Sequence, residues 1–227
     1  MDLQESLRTT GAVRRFTTEP VDDATVYALL DDARFAPSGG NRQGWRVAVV
    51  KDIERRRQLG VLMQTVWNEY RSADGASTAP FAVVDDEGEP TPAADPGVAA
   101  GAPFVANELL DHITEIPVVL TVAADLRRIA MMDRDLDRVP ITGGASIYPF
   151  CWNLMLAARA RGLGGVITTF LARAEPAARS IIGLPPASAI AATIFIGHPV
   201  HQPTRLRRDP VESFTTIDSF DGEPFRV

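Results

Sequence analysis

Ala36-Pro37-Ser38-Gly39-Gly40-Asn41-Arg42-Gln43-Gly44-Trp45 is the stretch on which the fold turns. Upstream, Asp22 and Asp23 stand where a helix can start, and Val26, Leu29, Leu30 and Ala33 follow at the i, i+3, i+4, i+7 spacing of one buried face. That spacing predicts a helix ending just before Pro37, because the residue before a proline avoids helical backbone. Downstream, residues 45–50 are rich in β-branched and aromatic side chains and predict a strand. The segment therefore leaves a helix and enters a strand. Its small residues let a flat ligand approach the backbone, with Ser38 and Asn41 supplying hydrogen bonds. An ordinary turn accounts for the same residues equally well.

Beyond this segment, Leu59, Leu62, Met63, Val66, Trp67 and Tyr70 mark a second amphipathic helix. From 71 to 103 the composition shifts to Gly, Pro, Ala, Ser and Asp, which prevents a long regular element and predicts a mobile insert or lid. Residues 116–123 predict a buried strand. Residues 147–160 are apolar nearly all round and run to Gly162, a natural helix stop, so they predict a helix in the middle of the core. Glu175-Pro176 opens a further helix that Gly183 ends, and 190–197 predict another strand. In the stretch 203–227, residues 214–220 are strand-like with no core of their own left to join, the mark of a tail that packs on a partner subunit.

The 227 residues, 45% of them hydrophobic, suffice for one full core. A formal net charge of −6 argues against general affinity for nucleic acid or an anionic membrane, so an anionic ligand must meet a local basic cluster. The apolar runs are too short to span a bilayer, the N-terminus lacks the apolar core of a signal peptide, and the lone Cys151 cannot form an internal disulfide. A cytoplasmic protein without a metal is expected.

Arg14 and Arg15 follow a glycine near the expected end of the first helix, where guanidinium groups could grip a phosphate bidentately; a solvated basic pair is the more common reason for such a dipeptide. Arg205, Arg207 and Arg208 raise the same question at the other end of the chain, and the two clusters could converge on one anion. Gly162-Leu163-Gly164-Gly165, followed by Val166-Ile167-Thr168-Thr169, reads as a glycine loop that leaves room for a ligand, but it lacks the G-x-G-x-x-G order of a dinucleotide fingerprint. His112, His198 and His201 have no carboxylate or nucleophile at a telling offset, and neither H-E-x-x-H nor G-x-S-x-G occurs. A chain with no evident acid, base or nucleophile suits an enzyme whose cofactor carries the chemistry.

Four segments in this order, 11–16, 36–45, 162–169 and 207–210, resemble the nitroreductase superfamily of FMN-dependent oxidoreductases. The resemblance implies an α+β, three-layer fold with a mixed, mostly antiparallel sheet flanked by helices. It implies one FMN-binding domain over 1–227 with the insert at 71–103, and a homodimer whose C-terminal tail packs on the partner subunit. By the same resemblance Arg14 and Arg208 match positions that bind the FMN phosphate, with Arg15 and Arg207 as neighbours and Arg8 as a further candidate. Pro37, Ser38, Gly39 and Asn41 match the segment that reaches the flavin from the partner. Gly165, Thr168 and Thr169 match the residues beside the isoalloxazine ring and its N5, and Ser146 faces the same site. No side chain is implied as catalytic: NAD(P)H reduces the flavin, which then passes electrons by a ping-pong cycle to a small-molecule acceptor such as a nitroaromatic or quinone. A flavin-binding or storage protein without turnover is one alternative. Another is a family enzyme with a different acceptor: an enoate, a halogenated phenol, or the flavin itself in a ring-cleaving reaction. Thr10, Gly11 and Ala12 stand where members commonly carry Arg-Arg-Ser, so one basic and one hydroxyl contact are missing. Glu69 and Tyr70 are adjacent instead of one helical turn apart, which argues against dehalogenation.

Overall fold

The computed structural model describes residues 1–73, 79–91 and 101–227. Four strands, β1 (Trp45–Val49), β2 (Val118–Asp125), β3 (Gly164–Thr168) and β4 (Ser188–Gly197), form one sheet in the order β1-β2-β4-β3. Every neighbouring pair is antiparallel. The parallel element expected of a mixed sheet is confined to an isolated bridge between Ala12 and Gly165.

The β2 strand is buried along its whole length, so both faces of the sheet must be covered. Side chains alternate across a strand. Val118, Leu120 and Val122, with Ile194 and Ile196, face one apolar layer built by α2 (Asp23–Ala33) and the long helix Tyr148–Ala160. Val119 and Phe195 face the other, built by α3 (Ile53–Ser72) and the short helices Glu108–Asp111, Phe170–Arg173 and Glu175–Ile182. The result is three layers, helix on sheet on helix. Phe150 and Leu154 in the Tyr148–Ala160 helix are fully buried, as a helix apolar nearly all round requires. Burial of each such side chain contributes about 1.5–3 kcal/mol. Among the described residues no helix is long and apolar enough to cross a membrane.

Local chemistry sets the element ends. Asp22 and Asp52 cap α2 and α3 by accepting the backbone N–H of Thr25 and Arg55, at 2.7 and 2.8 Å. Gly183 ends its helix in the left-handed conformation with φ 62°.

Three expectations need correction. The first helix, Leu3–Thr9, is too short to carry Arg14 and Arg15, which lie instead in an extended stretch held by Val13 N–H donating to the Gly165 carbonyl at 2.8 Å. The expected glycine loop at 162–165 is a turn at Gly162, φ 76°, leading straight into β3. The β-branched run Val166-Ile167-Thr168 favours that strand, and the glycines before it had obscured it. Residues 214–220 do not form a strand: a single turn of 3-10 helix at Val211–Ser213 is followed by a tight reversal closed by a Thr216–Pro224 bridge.

Within the expected insert, residues 71 and 72 complete α3. Residues 83–91 form a reversal in which the Asp85 carboxylate accepts the N–H groups of Glu87 and Glu89 at 3.0 and 2.8 Å. Residues 74–78 and 92–100, which also belong to that insert, lie outside the described residues.

Candidate functional site

On the α3 side of the sheet, β3 forms an edge, and next to it opens a cavity of about 540 Å³. Its walls include Arg14, Trp67, Tyr70, Asn107, Thr168 and Thr169. Trp67 and Tyr70, one α3 turn apart, stack with ring centroids 5.9 Å apart and planes 10° apart, and Phe170 meets Trp67 edge-on at 5.8 Å. Phe81, from the insert, lies 6.1 Å from Tyr70 and is covered by the Arg173 guanidinium at 4.5 Å. Arg173 is held in turn by the buried carboxylate of Glu69, Nε to Oε2 at 2.7 Å. The indole N–H of Trp67 is buried without a hydrogen-bond partner among the described residues, so a polar demand remains in this wall.

The open edge of β3 has a defined polarity. Because the Gly165 carbonyl turns away from β4 to accept from Val13, the alternation of an antiparallel ladder turns the backbone groups of Ile167 the same way, toward the cavity that Ile167 lines. The side chains of β3 are less available. The Thr168 hydroxyl donates to the Thr193 carbonyl at 3.3 Å. The space that the missing side chain of Gly165 leaves is filled by protein: a Cβ there would lie 2.7 Å from the Phe195 carbonyl oxygen.

Arg14 is exposed at this cavity and has no ion-pair partner among the described residues, whereas Arg15 is engaged by Glu108 at 2.8 Å. The two chain ends meet beside them. A Cβ on Gly11 would lie 2.9 Å from Leu206 Cδ2, and Gln202 Nε2 donates to the Thr9 carbonyl at 3.3 Å. The glycine at position 11, where a basic residue was expected, is thus what lets residues 203–206 pack on the N-terminal stretch. Arg8, Arg205 and Arg207 are exposed without ion-pair partners among the described residues, and Arg208 Nη1 donates to the Arg207 carbonyl at 2.6 Å.

The 36–45 segment lies elsewhere. Pro37, Ser38, Gly39 and Arg42 line a separate cleft of about 380 Å³ whose far wall is Met132, Thr142 and Ser146. Ser146 Oγ accepts the Gly39 N–H at 3.0 Å, and Ser38 Oγ accepts the Gln43 N–H at 2.9 Å. Gly40, Asn41 and Gln43 have φ of 59°, 52° and 50°, a left-handed turn that glycine and asparagine tolerate and glutamine rarely adopts. Trp45 stacks on Phe150 at 5.0 Å and ties the turn to the core. Within one protomer, then, Arg14, Thr168 and Thr169 share one cleft and Pro37, Ser38 and Gly39 share another.

Reading the sequence singled out Arg14, Thr168 and Thr169 but left Trp67 and Tyr70 as helix core, and overlooked Asn107 and Phe170. Helical periodicity could not separate an aromatic face turned to the core from one turned to a cavity. Cys151 is no alternative nucleophile: burial pushes its thiol up to about 12.

An antiparallel sheet between two helical layers, with an aromatic cavity at its edge and, beside it, arginines without ion-pair partners among the described residues, defines an α+β protein. The nitroreductase family model matches residues 7–198. The 5,6-dimethylbenzimidazole synthase of Rhodospirillum rubrum is 31% identical over 152 residues, which cover 67% of this chain and 61% of that protein. The 4-nitrobenzoate reductase of Pseudomonas putida is 24% identical, over 92% of each chain. Among solved structures, a nitroreductase from Desulfovibrio desulfuricans in complex with FMN superposes with a TM-score of 0.66 at 20% identity, covering 100% of this chain and 99% of that one. The NADPH:FMN oxidoreductase from Vibrio harveyi complexed with NAD+ gives 0.65 at 19%, covering 96% and 77%. This chain belongs to the nitroreductase family.

Proposed function

We propose that the chain is an FMN-dependent oxidoreductase that takes electrons from NAD(P)H and passes them to a small planar acceptor, a nitroaromatic or quinone, by a ping-pong cycle. The observation that carries this reading is an Arg14 with no ion-pair partner among the described residues, at the mouth of an aromatic-walled cavity, beside the open edge of β3 and beside the junction of the two chain ends. Bound FMN supplies hydride transfer at N5, which no side chain here replaces.

The residues fit that group. Arg14, with Arg207 and Arg208 from the other end, would hold the phosphate by charge-assisted hydrogen bonds, and Arg15 orients the same stretch through Glu108. The backbone of Ile167, with Gly165, Thr168 and Thr169 around it, would supply fixed dipoles that stabilise negative charge on the bound group without reorganising. Trp67, Tyr70 and Phe170 exclude water and offer flat faces to whichever partner occupies the slot.

Pro37, Ser38, Gly39 and Asn41 act on a second copy. The cleft of Pro37, Ser38 and Gly39 is distinct from the β3 cavity of their own protomer, so a homodimer is what brings the two sets together. The exposed Phe214, Ile217, Phe220 and Phe225 supply apolar surface for the tail to pack on that partner. Phe81, in the expected lid, rests on Tyr70 and Arg173 at the cavity.

Anaerobic stopped-flow mixing of FMN-loaded protein with NAD(P)H tests the reading. Rapid bleaching of the flavin followed by reoxidation with a nitroaromatic or quinone supports it, and a flavin that stays oxidised identifies a storage protein instead. The 31% identical relative favours one second reading, in which flavin is itself cleaved, since a 5,6-dimethylbenzimidazole shares the dimethyl ring and flanking nitrogens of the isoalloxazine. Chromatography of the small molecules left after turnover in air separates the two: intact FMN for the first, a benzimidazole for the second.

A further inference from the structure

Asp125, at the end of β2, is almost fully buried, yet its carboxylate is approached by three arginines. Arg127 grips it with a fork, Nε to Oδ1 at 2.9 Å and Nη2 to Oδ2 at 2.8 Å. Arg46 Nη2 lies 3.4 Å and Arg128 Nε 3.9 Å from Oδ2. Arg128 Nη1 also donates to the Arg42 carbonyl at 3.1 Å, which joins the group to the cleft that Arg42 shares with Ser38 and Gly39. Among the described residues no other carboxylate forms an ion pair with any of the four. In a chain of net charge −6 this is a local surplus of positive charge, and the Arg46, Arg127 and Arg128 side chains are each about half exposed or more.

Such a group needs a reason, because like charges brought together repel unless an anion completes them. The acidic partner already present uses one fork, that of Arg127, and satisfies a single carboxylate. What remains, the outward N–H groups of Arg46, Arg127 and Arg128, exceeds the needs of a second carboxylate and matches a phosphate monoester, with its charge near −2 and three acceptor oxygens. The flavin phosphate is already assigned to Arg14, Arg207 and Arg208, and Arg14 lies beside β3, at the opposite edge of the sheet from the β1 strand that carries Arg46.

We propose that Arg46, Arg127 and Arg128, positioned by Asp125, form the subsite for the 2′-phosphate of NADPH, so that the 2′-phosphorylated donor is preferred over NADH. The proposal rests on the oxidoreductase reading above and names the donor for it. Asp125 is a positioning residue: it aims the guanidiniums and does not itself touch the ligand.

The probes are 2′,5′-ADP and 5′-AMP, titrated by calorimetry into the full-length protein, so that turnover is not required. Unaltered protein binds 2′,5′-ADP at least tenfold more tightly than 5′-AMP. Arg127→Gln and Arg46→Gln, studied separately and checked for an unchanged far-ultraviolet spectrum, each remove most of that difference and leave 5′-AMP binding as it was; raising the salt concentration does the same to the unaltered protein. Equal affinity for the two probes overturns the proposal, as does equal loss of both in the variants, or a selective loss of 4-nitrobenzoate binding, which would make the group a carboxylate site. FMN content is read on the same samples. Colourless protein that still distinguishes the probes through Arg127 refutes the flavin reading and upholds the phosphate subsite.

Discussion

Two buried carboxylates anchor the loop that follows β2. Asp133 accepts hydrogen bonds from the Ile141 and Thr142 backbone amides, the Thr142 hydroxyl and Arg138, and these hold its carboxyl well below the usual range, the Ile141 amide most of all. Asp125 is lowered to about 2, chiefly by its hydrogen bonds to Arg127. A carboxyl with a depressed folded-state pKa contributes stability that is complete above its unfolded value, near 4, and is lost as pH falls through the folded value. Thermal melts from pH 6 downward should therefore show a steep loss of stability below pH about 4, and Asp125→Asn should flatten that slope between pH about 4 and 2. A slope that Asp125→Asn leaves unchanged would remove the carboxylate from this role. At the candidate cofactor site, Arg14→Ala deletes a charge-assisted contact of about 1.5–3 kcal/mol, so FMN should bind about ten- to a hundredfold more weakly. Equilibrium dialysis measures it, and undiminished retention would discredit the assignment.

Glycines distinguish the elements that build the fold from those that shape the site. Alanine at Gly165 puts a methyl group 2.7 Å from the Phe195 carbonyl and 3.1 Å from Met155 Cε, and a backbone carbonyl in the middle of β4 cannot move aside. Gly165→Ala should cost about 1–3 kcal/mol in chemical denaturation. Gly39→Ala meets only Ser146 Oγ at 3.6 Å, an ordinary contact, and should shift stability by less than about 0.5 kcal/mol while weakening flavin retention through the partner's site. A Gly39→Ala protein that keeps both stability and flavin would take that turn out of the site. The same contrast explains what the sequence disclosed. Amphipathic spacing located α2, α3 and the Tyr148–Ala160 helix, and the short apolar runs located β2 and β4, because burial on defined faces leaves a period. β3 stayed hidden because its first residues are glycines chosen for close packing against β4 and Val13, where a side chain would collide. The tail could not be read either: Phe214 and Phe220 have β propensity, but no neighbouring strand in the protomer offers them a ladder.

On the scale of the whole molecule, the candidate residues divide between two clefts that one chain does not merge, and the C-terminal segment leaves Phe214, Ile217, Phe220 and Phe225 exposed. The proposed homodimer accounts for both facts. Removing residues 213–227 should then lower dimer stability and flavin affinity together, while the far-ultraviolet spectrum changes little. A truncated protein that remains a flavin-loaded dimer would show that the tail has no part in assembly. The most direct measurement is sedimentation of the purified protein followed at the visible absorbance band of flavin. FMN sedimenting at one molecule per chain, on a particle with twice the mass of one chain, is the predicted result; flavin carried by single chains, or a colourless protein that does not take up added FMN, would contradict it.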